Sequence, residues 1–367
     1  MYEIDALYEK ERLESIENVY QENRSKKILL LVALCVSILI FSIYAAAVGS
    51  ANLTISDTFL AVANKLLPDY FGPPDYKSAK VIVIDIRLPR VLLAIVTGVS
   101  LGMAGAVMQG VLRNPLVSPF TLGLSSASSF GAVIAIAMTG SIIALADQHY
   151  YIILSSFIFG CLSIILVYLL SRFKSADQAT LILGGVVIGY IFQAGVLVLK
   201  YFSNNEKLRD MVVWIMGGMW GATWNAVIIL IPIVVICMAY LWYRSWDLNA
   251  FMAGEDVATS LGVSTDRMKI TCLIAATLAA SSCIAFTGVI GFIGLMAPHI
   301  CKILIGPDNR YIIPCSALMG GLILLVSDTL ARTVMVPVEI PVGVIMYIVG
   351  GIFFLYLILR KKGEHLA

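Results

Sequence analysis

The sequence predicts an all-α protein that crosses a membrane about ten times. Of its 367 residues, 60% are hydrophobic and only 13% are charged, and the mean hydropathy is +0.93. A soluble globular domain has about 25% charged residues, so this composition leaves too few charges to cover a water-facing surface. The chain is therefore expected to face lipid, and the class of water-soluble enzymes is excluded.

Ten apolar runs approach the length of about 20 residues that a helix needs to cross the hydrocarbon core. The eighth run is short and contains Gly294 and Pro298, which predicts a broken helix that lines protein or water. These runs divide the chain into three parts: an N-terminal extension (1–27), a membrane domain (28–360) and a short tail (361–367). The ten runs are 28–48, 91–109, 120–138, 151–171, 180–199, 225–243, 270–288, 290–304, 311–330 and 342–359.

Basic residues set the predicted orientation. With a cytoplasmic N-terminus, most of the 25 Lys and Arg residues lie on the inner side, and none is left deep inside a span, as the positive-inside rule requires. Both termini are then cytoplasmic. The net charge of +2 is too small to indicate a nucleic-acid partner.

Apolar residues recur near helical spacing in the extension, at Ile4, Leu7, Tyr8, Leu13, Ile16 and Tyr20. This spacing predicts an amphipathic helix on the bilayer or on a partner. A solvated tail fits the composition equally well, and the two alternatives stay open.

Three classes of membrane protein remain: a transporter subunit, an intramembrane enzyme, and a receptor or scaffold. An enzyme or an ion-driven carrier needs titratable groups inside the bundle, but the runs and their edges offer little beyond His299 and Asp328. The seven cysteines form no C-x-x-C pair, no metal ligand set is evident, and no P-loop motif is present. We expect no cofactor and no catalytic residues, so any energy must come from a separate protein.

Two segments indicate an inverted repeat of helices 2–5 and 7–10. Residues 105–115 and 288–298 both place a glycine ten residues before a proline near the end of a run. The second and seventh runs cross in opposite directions, as in inverted-repeat transporters. A chance match is the alternative.

The longest inner loop, residues 244–269, contains a short predicted helix. Glu255 and Asp256 suit its first turn, and Gly262 can end it. The helix is either a docking element for a motor protein or an ordinary connector.

The chain resembles the permease subunits of type II binding-protein-dependent ABC importers, the family that carries ferric siderophores, haem and cobalamin. The resemblance extends over residues 81–360. It is carried by Arg87-Leu-Pro-Arg-Val91, Gly105-Ala-Val-Met-Gln109 with Arg113-Asn-Pro-Leu116, Thr121-Leu-Gly-Leu124, the loop from Gly254 to Gly262, Gly288-Val-Ile-Gly-Phe-Ile-Gly-Leu-Met-Ala-Pro-His299, Ser327-Asp-Thr-Leu-Ala-Arg332 and Glu339-Ile-Pro-Val-Gly343.

The resemblance implies a homodimer in the cytoplasmic membrane, two ATPase subunits beneath it and a substrate-binding protein above it. It assigns ATPase coupling to Gly254, Glu255, Asp256, Ala258, Leu261 and Gly262. It assigns docking of the binding protein to Arg87, Arg90 and Arg332, for which interfacial anchoring is the alternative. It places Gly184, Gly185, Gly189, Gln193 and Phe353 along the pathway.

The resemblance leaves other assignments open. Residues 177–180 depart from the family's pattern, so we assign no gate, and His299 is expected to have a packing role. The first candidate substrate is a ferric siderophore, followed by haem, cobalamin and oxyanions such as molybdate. A scaffold or receptor that does not transport is the remaining alternative.

Overall fold

The computed structural model describes residues 2–49, 53–74, 76, 78–140, 148–173 and 178–363. These residues form helices joined by short turns, and no β-strand is present among them. A π-helical turn, Val81–Arg87, leads directly into the third helix. The helices are α1 Tyr2–Ala47, α2 Ile55–Leu66, α3 Leu88–Val111, α4 Leu124–Met138, α5 Gln148–Phe173, α6 Gln178–Phe202, α7 Asn205–Met216, α8 Trp224–Tyr243, α9 Ser245–Ala253, α10 Glu255–Ser260, α11 Thr265–Thr287, α12 Ile293–Ile305, α13 Asn309–Thr333 and α14 Val342–Gly363.

The predicted all-α membrane fold is confirmed. Eight of these helices are long and apolar enough to cross a membrane, and α4 and α12 are shorter apolar helices. Together they coincide with the ten predicted runs, although individual ends differ, as at Thr265, where α11 begins before the predicted run. The short eighth run is α12, which has Pro298 within it and starts after Phe292, a residue with φ of 66°.

The N-terminal extension continues the first span without a break. Helix α1 has 46 residues, about 69 Å at 1.5 Å per residue, whereas the hydrocarbon core is about 30 Å thick. The candidate span inside it starts at Arg24. The amphipathic or solvated character of the first 27 residues stays a prediction.

Helix α3 is the buried centre of the bundle, with α8, α11, α12 and α13 packed around it. Its glycines permit these close approaches. A Cβ atom at Gly98 would overlap the carbonyl oxygen of Gly320 on α13, and one at Gly105 would overlap the carbonyl oxygen of Gly294 on α12. In lipid, where apolar side chains gain little by leaving the solvent, such backbone contact is a main source of helix association.

The helix contacts fit the predicted inverted repeat. We match helices α3, α4, α5 and α6 in order to α11, α12, α13 and α14. Under this matching, the contact of α3 with α13 corresponds to that of α11 with α5, α4 with α5 corresponds to α12 with α13, and α4 with α6 corresponds to α12 with α14. All six of these helix pairs pack together in the structure. Gly105 and Gly294, which belong to the two sequence copies, meet at the crossing of α3 and α12.

Candidate functional site

An arginine cluster lies where α1 ends, α3 begins and α13 ends. Arg90 donates from Nε and Nη2 to Oδ1 of Asp328, at 3.1 and 3.0 Å, and from Nη1 to Glu339 at 2.7 Å. Arg332 Nε lies 3.2 Å from the other oxygen of Asp328. Asp328 is fully buried, so its charge is tolerated only because these two cations neutralise it.

Two of these arginines also cap the C-terminal end of α1. Arg87 donates from Nη1 to the carbonyl oxygens of Ala46 and Ala47, at 2.9 and 2.6 Å. Arg332 donates from Nη2 to the carbonyl oxygen of Ala45, at 3.1 Å. Cations stabilise the negative end of a helix dipole, so these bonds fasten α1 to the π-helical turn and to α13.

The structure brings Arg87, Arg90 and Arg332 together, whereas the sequence did not reveal the partners of any of them. Arg87 and Arg332 are each only 4% exposed, which is the anchoring position that the sequence left as an alternative. Arg90 differs from these two arginines because it pairs with an accessible carboxylate, that of Glu339, which is 31% exposed. The docking role stays a prediction.

The predicted loop helix exists as α10, and it follows α9 after a sharp bend. Gly254, at the bend, has φ of 149°, and Gly262, after the helix, has φ of 83°. Both values favour glycine because they clash with a Cβ atom. Ala258 is buried against the bundle, while Leu261 is 69% exposed and Val257 44% exposed. The helix thus presents apolar side chains outward.

Polar contacts fix α10 to the span that follows it. Glu255 accepts hydrogen bonds from Lys269 Nζ at 2.6 Å and from Thr265 Oγ1 at 3.0 Å. The hydrogen bond from Lys269 lowers the pKa of Glu255, and the bond from Thr265 acts in the same direction. Asp256 makes no such contact with the described residues.

Phe251, on α9, contacts both α11 and the turn that follows α3. Its ring is fully buried. The guanidinium of Arg113 lies 3.9 Å from the ring centroid, and the amine of Lys269 lies 5.1 Å from it. Arg113 also donates to the carbonyl oxygen of Phe251. Cation–π contacts of this kind strengthen when the groups leave water. Arg113 belongs to one of the motifs that carry the family resemblance, but its contact with Phe251 and Lys269 was not predicted, since the three residues are far apart in the chain and share no local pattern.

The five predicted pathway residues lie in different surroundings. Gly184, Gly185 and Gly189 are buried, and Gly185 and Gly189 pack against the chain at Leu122 and Gly123. Gln193 is exposed on α6. Phe353 packs against His299, with ring centroids 6.2 Å apart. The glycines therefore serve close packing within the chain, and the pathway role stays a prediction.

Among the described residues, no three His, Cys, Asp or Glu side chains are grouped so that they could hold a metal ion. His299 contacts the rings of Phe353 and Phe354, in the packing position that the sequence suggested.

Comparison with known proteins decides the family. The model of the FecCD transport family matches residues 33–360. The chain belongs to the FecCD transport family. A hemin transport system permease from Yersinia pestis is 36% identical over 87% of this chain and 93% of its own length. A cobalamin import permease from Halobacterium salinarum is 37% identical over 80% and 77%.

The fold of this FecCD chain also matches a solved structure. An ABC transporter of the metal-chelate type, in an inward-facing conformation, is 29% identical and superposes with a TM-score of 0.78 over 90% of this chain and 98% of its own. The family resemblance read from the sequence is confirmed. The chain is a multi-pass membrane permease of the metal-chelate type of ABC importer, and it is a transport component.

Proposed function

We propose that this permease imports a bulky metal chelate, with a ferric siderophore as the first candidate and haem or cobalamin next. The named relatives carry haem and cobalamin, and Fe(III)-citrate and hydroxamate permeases also match the chain. The observation that carries the proposal is α10, a short helix that has exposed apolar side chains at Val257 and at its C-terminal Leu261 and that is tied to α11 by the ion pair of Glu255 with Lys269. An ATPase subunit that drives import needs a contact of this kind, through which its movement can reach the membrane spans.

The inner partner is an ATPase subunit, bound through the coupling residues Gly254, Glu255, Asp256, Ala258, Leu261 and Gly262. Leu261 and Val257 supply apolar contacts, since they are exposed on α10. Movement of α10 then reaches α11 through Glu255 and Lys269, and α3 through Phe251 and Arg113. Short charged contacts around a buried ring support this route, because close-packed groups transmit the displacement of one helix to the next with little loss.

The outer partner is a substrate-binding protein that presents carboxylates to the arginine cluster. Arginine suits this task because its planar fork can bind both oxygens of a carboxylate. Arg87 and Arg332 are engaged by α1, so docking falls mainly on Arg90. A carboxylate of the partner replaces Glu339 there, while Asp328 keeps its own bonds.

The permease acts as a homodimer in the cytoplasmic membrane, with both termini in the cytoplasm. Helices α6 and α14 carry exposed apolar residues, including Tyr190 at 72% and Ile352 at 65%, and these faces suit contact with a second copy. Gln193 and Phe353 then line the pathway between the copies.

The experiment is uptake by the permease reconstituted with its ATPase and binding protein. Ferric siderophore, haem, cobalamin and molybdate are offered separately, with and without ATP. Leu261→Asp should abolish ATP-dependent uptake, whereas Leu67→Asp, at a half-exposed leucine in the loop after α2, should not. A scaffold or receptor would show no ATP-dependent uptake of any chelate, and an oxyanion importer would accept molybdate alone.

A further inference from the structure

Helix α2 presents a line of apolar side chains that face away from the protein. Ile55, Phe59 and Leu66 are 73%, 59% and 73% exposed, and Val62, which lies between them, is half-buried. The four residues recur at helical spacing, so they form one continuous line along the helix. We call Ile55, Phe59, Val62 and Leu66 the apolar stripe.

The opposite face of α2 holds the helix on the protein. Thr58 and Ala61 are buried, and α2 packs against α1 and the π-helical turn. The helix begins with a capping box, in which the backbone N–H of Asp57 donates to Oγ1 of Thr54 at 3.0 Å and the backbone N–H of Thr54 donates to Oδ2 of Asp57 at 3.2 Å. Such reciprocal bonds fix the first turn of a helix, so the apolar stripe is carried by an ordered element.

Helix α2 lies beside the ends of two spans. The candidate span of α1 ends at Ala47, and the next candidate span begins at Val81, so the segment between them starts and ends at the same boundary of the bilayer. With 12 residues, α2 is about 18 Å long, which is too short to cross a hydrocarbon core of about 30 Å. Near its end, α1 exposes Ile43 and Tyr44, so α2 adjoins a span with a lipid-facing surface.

Two other occupants fit the apolar stripe less well. The helices proposed for the dimer contact lie elsewhere in the bundle, since α6 packs against α4 and α5, and α14 packs against α7, α12 and α13. A binding protein docks and leaves, and in its absence a large apolar surface would face water, which water-exposed surfaces rarely tolerate. The apolar stripe also carries no charge, whereas the docking proposed above depends on Arg90.

We propose that α2 is an interfacial anchor, whose apolar stripe inserts into the lipid leaflet on the side of the arginine cluster. The helix lies along the membrane surface, as amphipathic interfacial helices do, with its apolar face at the boundary between headgroups and acyl chains. Ser56 and Lys65, which are exposed on the two flanks of the helix, stay at the level of the headgroups.

Collisions of a nitroxide spin label with two reagents test the insertion, because oxygen concentrates among acyl chains and a polar nickel chelate stays in water. The full-length protein in phosphatidylcholine vesicles is labelled at Phe59→Cys or at Leu66→Cys. The background carries Cys35→Ser and Cys161→Ser, which remove the exposed and the half-buried thiol. At both positions, oxygen collisions should exceed nickel collisions. Lys65→Cys, next to Leu66 but on the flank of the helix, is the matched control and should show the opposite order.

Three outcomes would overturn the proposal. In the first, nickel collisions exceed oxygen collisions at Phe59 and Leu66, which would show that the apolar stripe faces water. In the second, nickel collisions at these positions fall only when the binding protein is added, which would make the stripe a docking surface. In the third, labels on two copies broaden each other's spectra, which would place the stripe between copies. The measurement needs neither ATP nor a chelate, so its result does not depend on the proposed function.

Discussion

Arg90 donates hydrogen bonds to Asp328 from two nitrogen atoms, Nε and Nη2, which lie 3.1 and 3.0 Å from the same carboxylate oxygen. The two residues are 238 positions apart in the sequence. Arg90 stands in the first turn of α3, and Asp328 near the end of α13, so the pair closes the most heavily packed helix pair of the bundle at one end.

Asp328→Ala should destabilise the fold by about 3–5 kcal/mol, because it leaves the buried Arg332 without a counter-charge and removes one of the two carboxylates that pair with Arg90. Denaturant unfolding of the purified protein in detergent measures the change. Asp85→Ala removes an exposed acid of the neighbouring π-helical turn and should cost much less. Equal stability of the two variants would contradict the role given to Asp328.

Glu339→Gln should strengthen docking of the binding protein, because it frees Nη1 of Arg90 from a competing carboxylate. The affinity of the two proteins, measured at low and high salt, tests this, and the gain should shrink at high salt as charges are screened. Glu206→Gln, at an exposed acid of α7, is the matched control. Weaker docking of the Glu339 variant would assign the interaction to Glu339 itself.

Glu255→Gln should raise the amount of ATP hydrolysed per chelate transported. Asp256→Asn should leave that ratio unchanged, because Asp256 is proposed to contact the ATPase but does not pair with Lys269. The two acids are neighbours on α10, but only Glu255 is tied to Lys269. We expect the ATP consumed per chelate transported to rise at least about fivefold, the low end of usual coupling energies. If the wild-type complex transports the chelate and the Glu255→Gln variant uses the same amount of ATP per chelate, the route through Glu255 is rejected. The proposed function is not rejected by that result.

The same ion pair should persist in mild acid. Because its folded-state pKa is lowered by Lys269, Glu255 keeps its charge until the pH falls below about 4.3, the ordinary glutamate value. The coupling ratio should therefore be constant between about pH 7.5 and pH 5.5. A ratio that rises steadily over that interval would count against the pair.

Phe251→Leu should keep most of the stability and lose coupling, since leucine fills much of the space but offers no ring to Arg113 and Lys269. Phe251→Ala should also destabilise the protein by about 3–5 kcal/mol. Unfolding and the ATP-to-chelate ratio, measured on both variants, separate packing from transmission. Wild-type coupling in the leucine variant would show that the ring faces are dispensable.

Hydropathy predicted the eight candidate spans and the two shorter apolar helices of the described residues, because lipid demands a long apolar helix wherever a chain passes through it. It missed the short helices α2 and α7, which lie between spans and meet no such demand. The local pattern of the loop predicted α10, and the family resemblance singled out the three arginines, but no local pattern reveals that Asp328 lies against Arg90. Long-range pairs of this kind are set by packing of α3 on α13, which the glycines permit but do not encode.

Helix α3 starts beside the carboxylates that Arg90 holds and ends just before Arg113, which covers Phe251. Its 24 residues make a rod of about 36 Å, enclosed on several sides by other spans. One continuous helix therefore joins the surface proposed to dock the binding protein to the surface proposed to contact the ATPase. If these two proposed roles hold, docking at one end and nucleotide binding by the ATPase at the other end would be coupled through the backbone of α3 itself, without a chain of side-chain movements across the membrane.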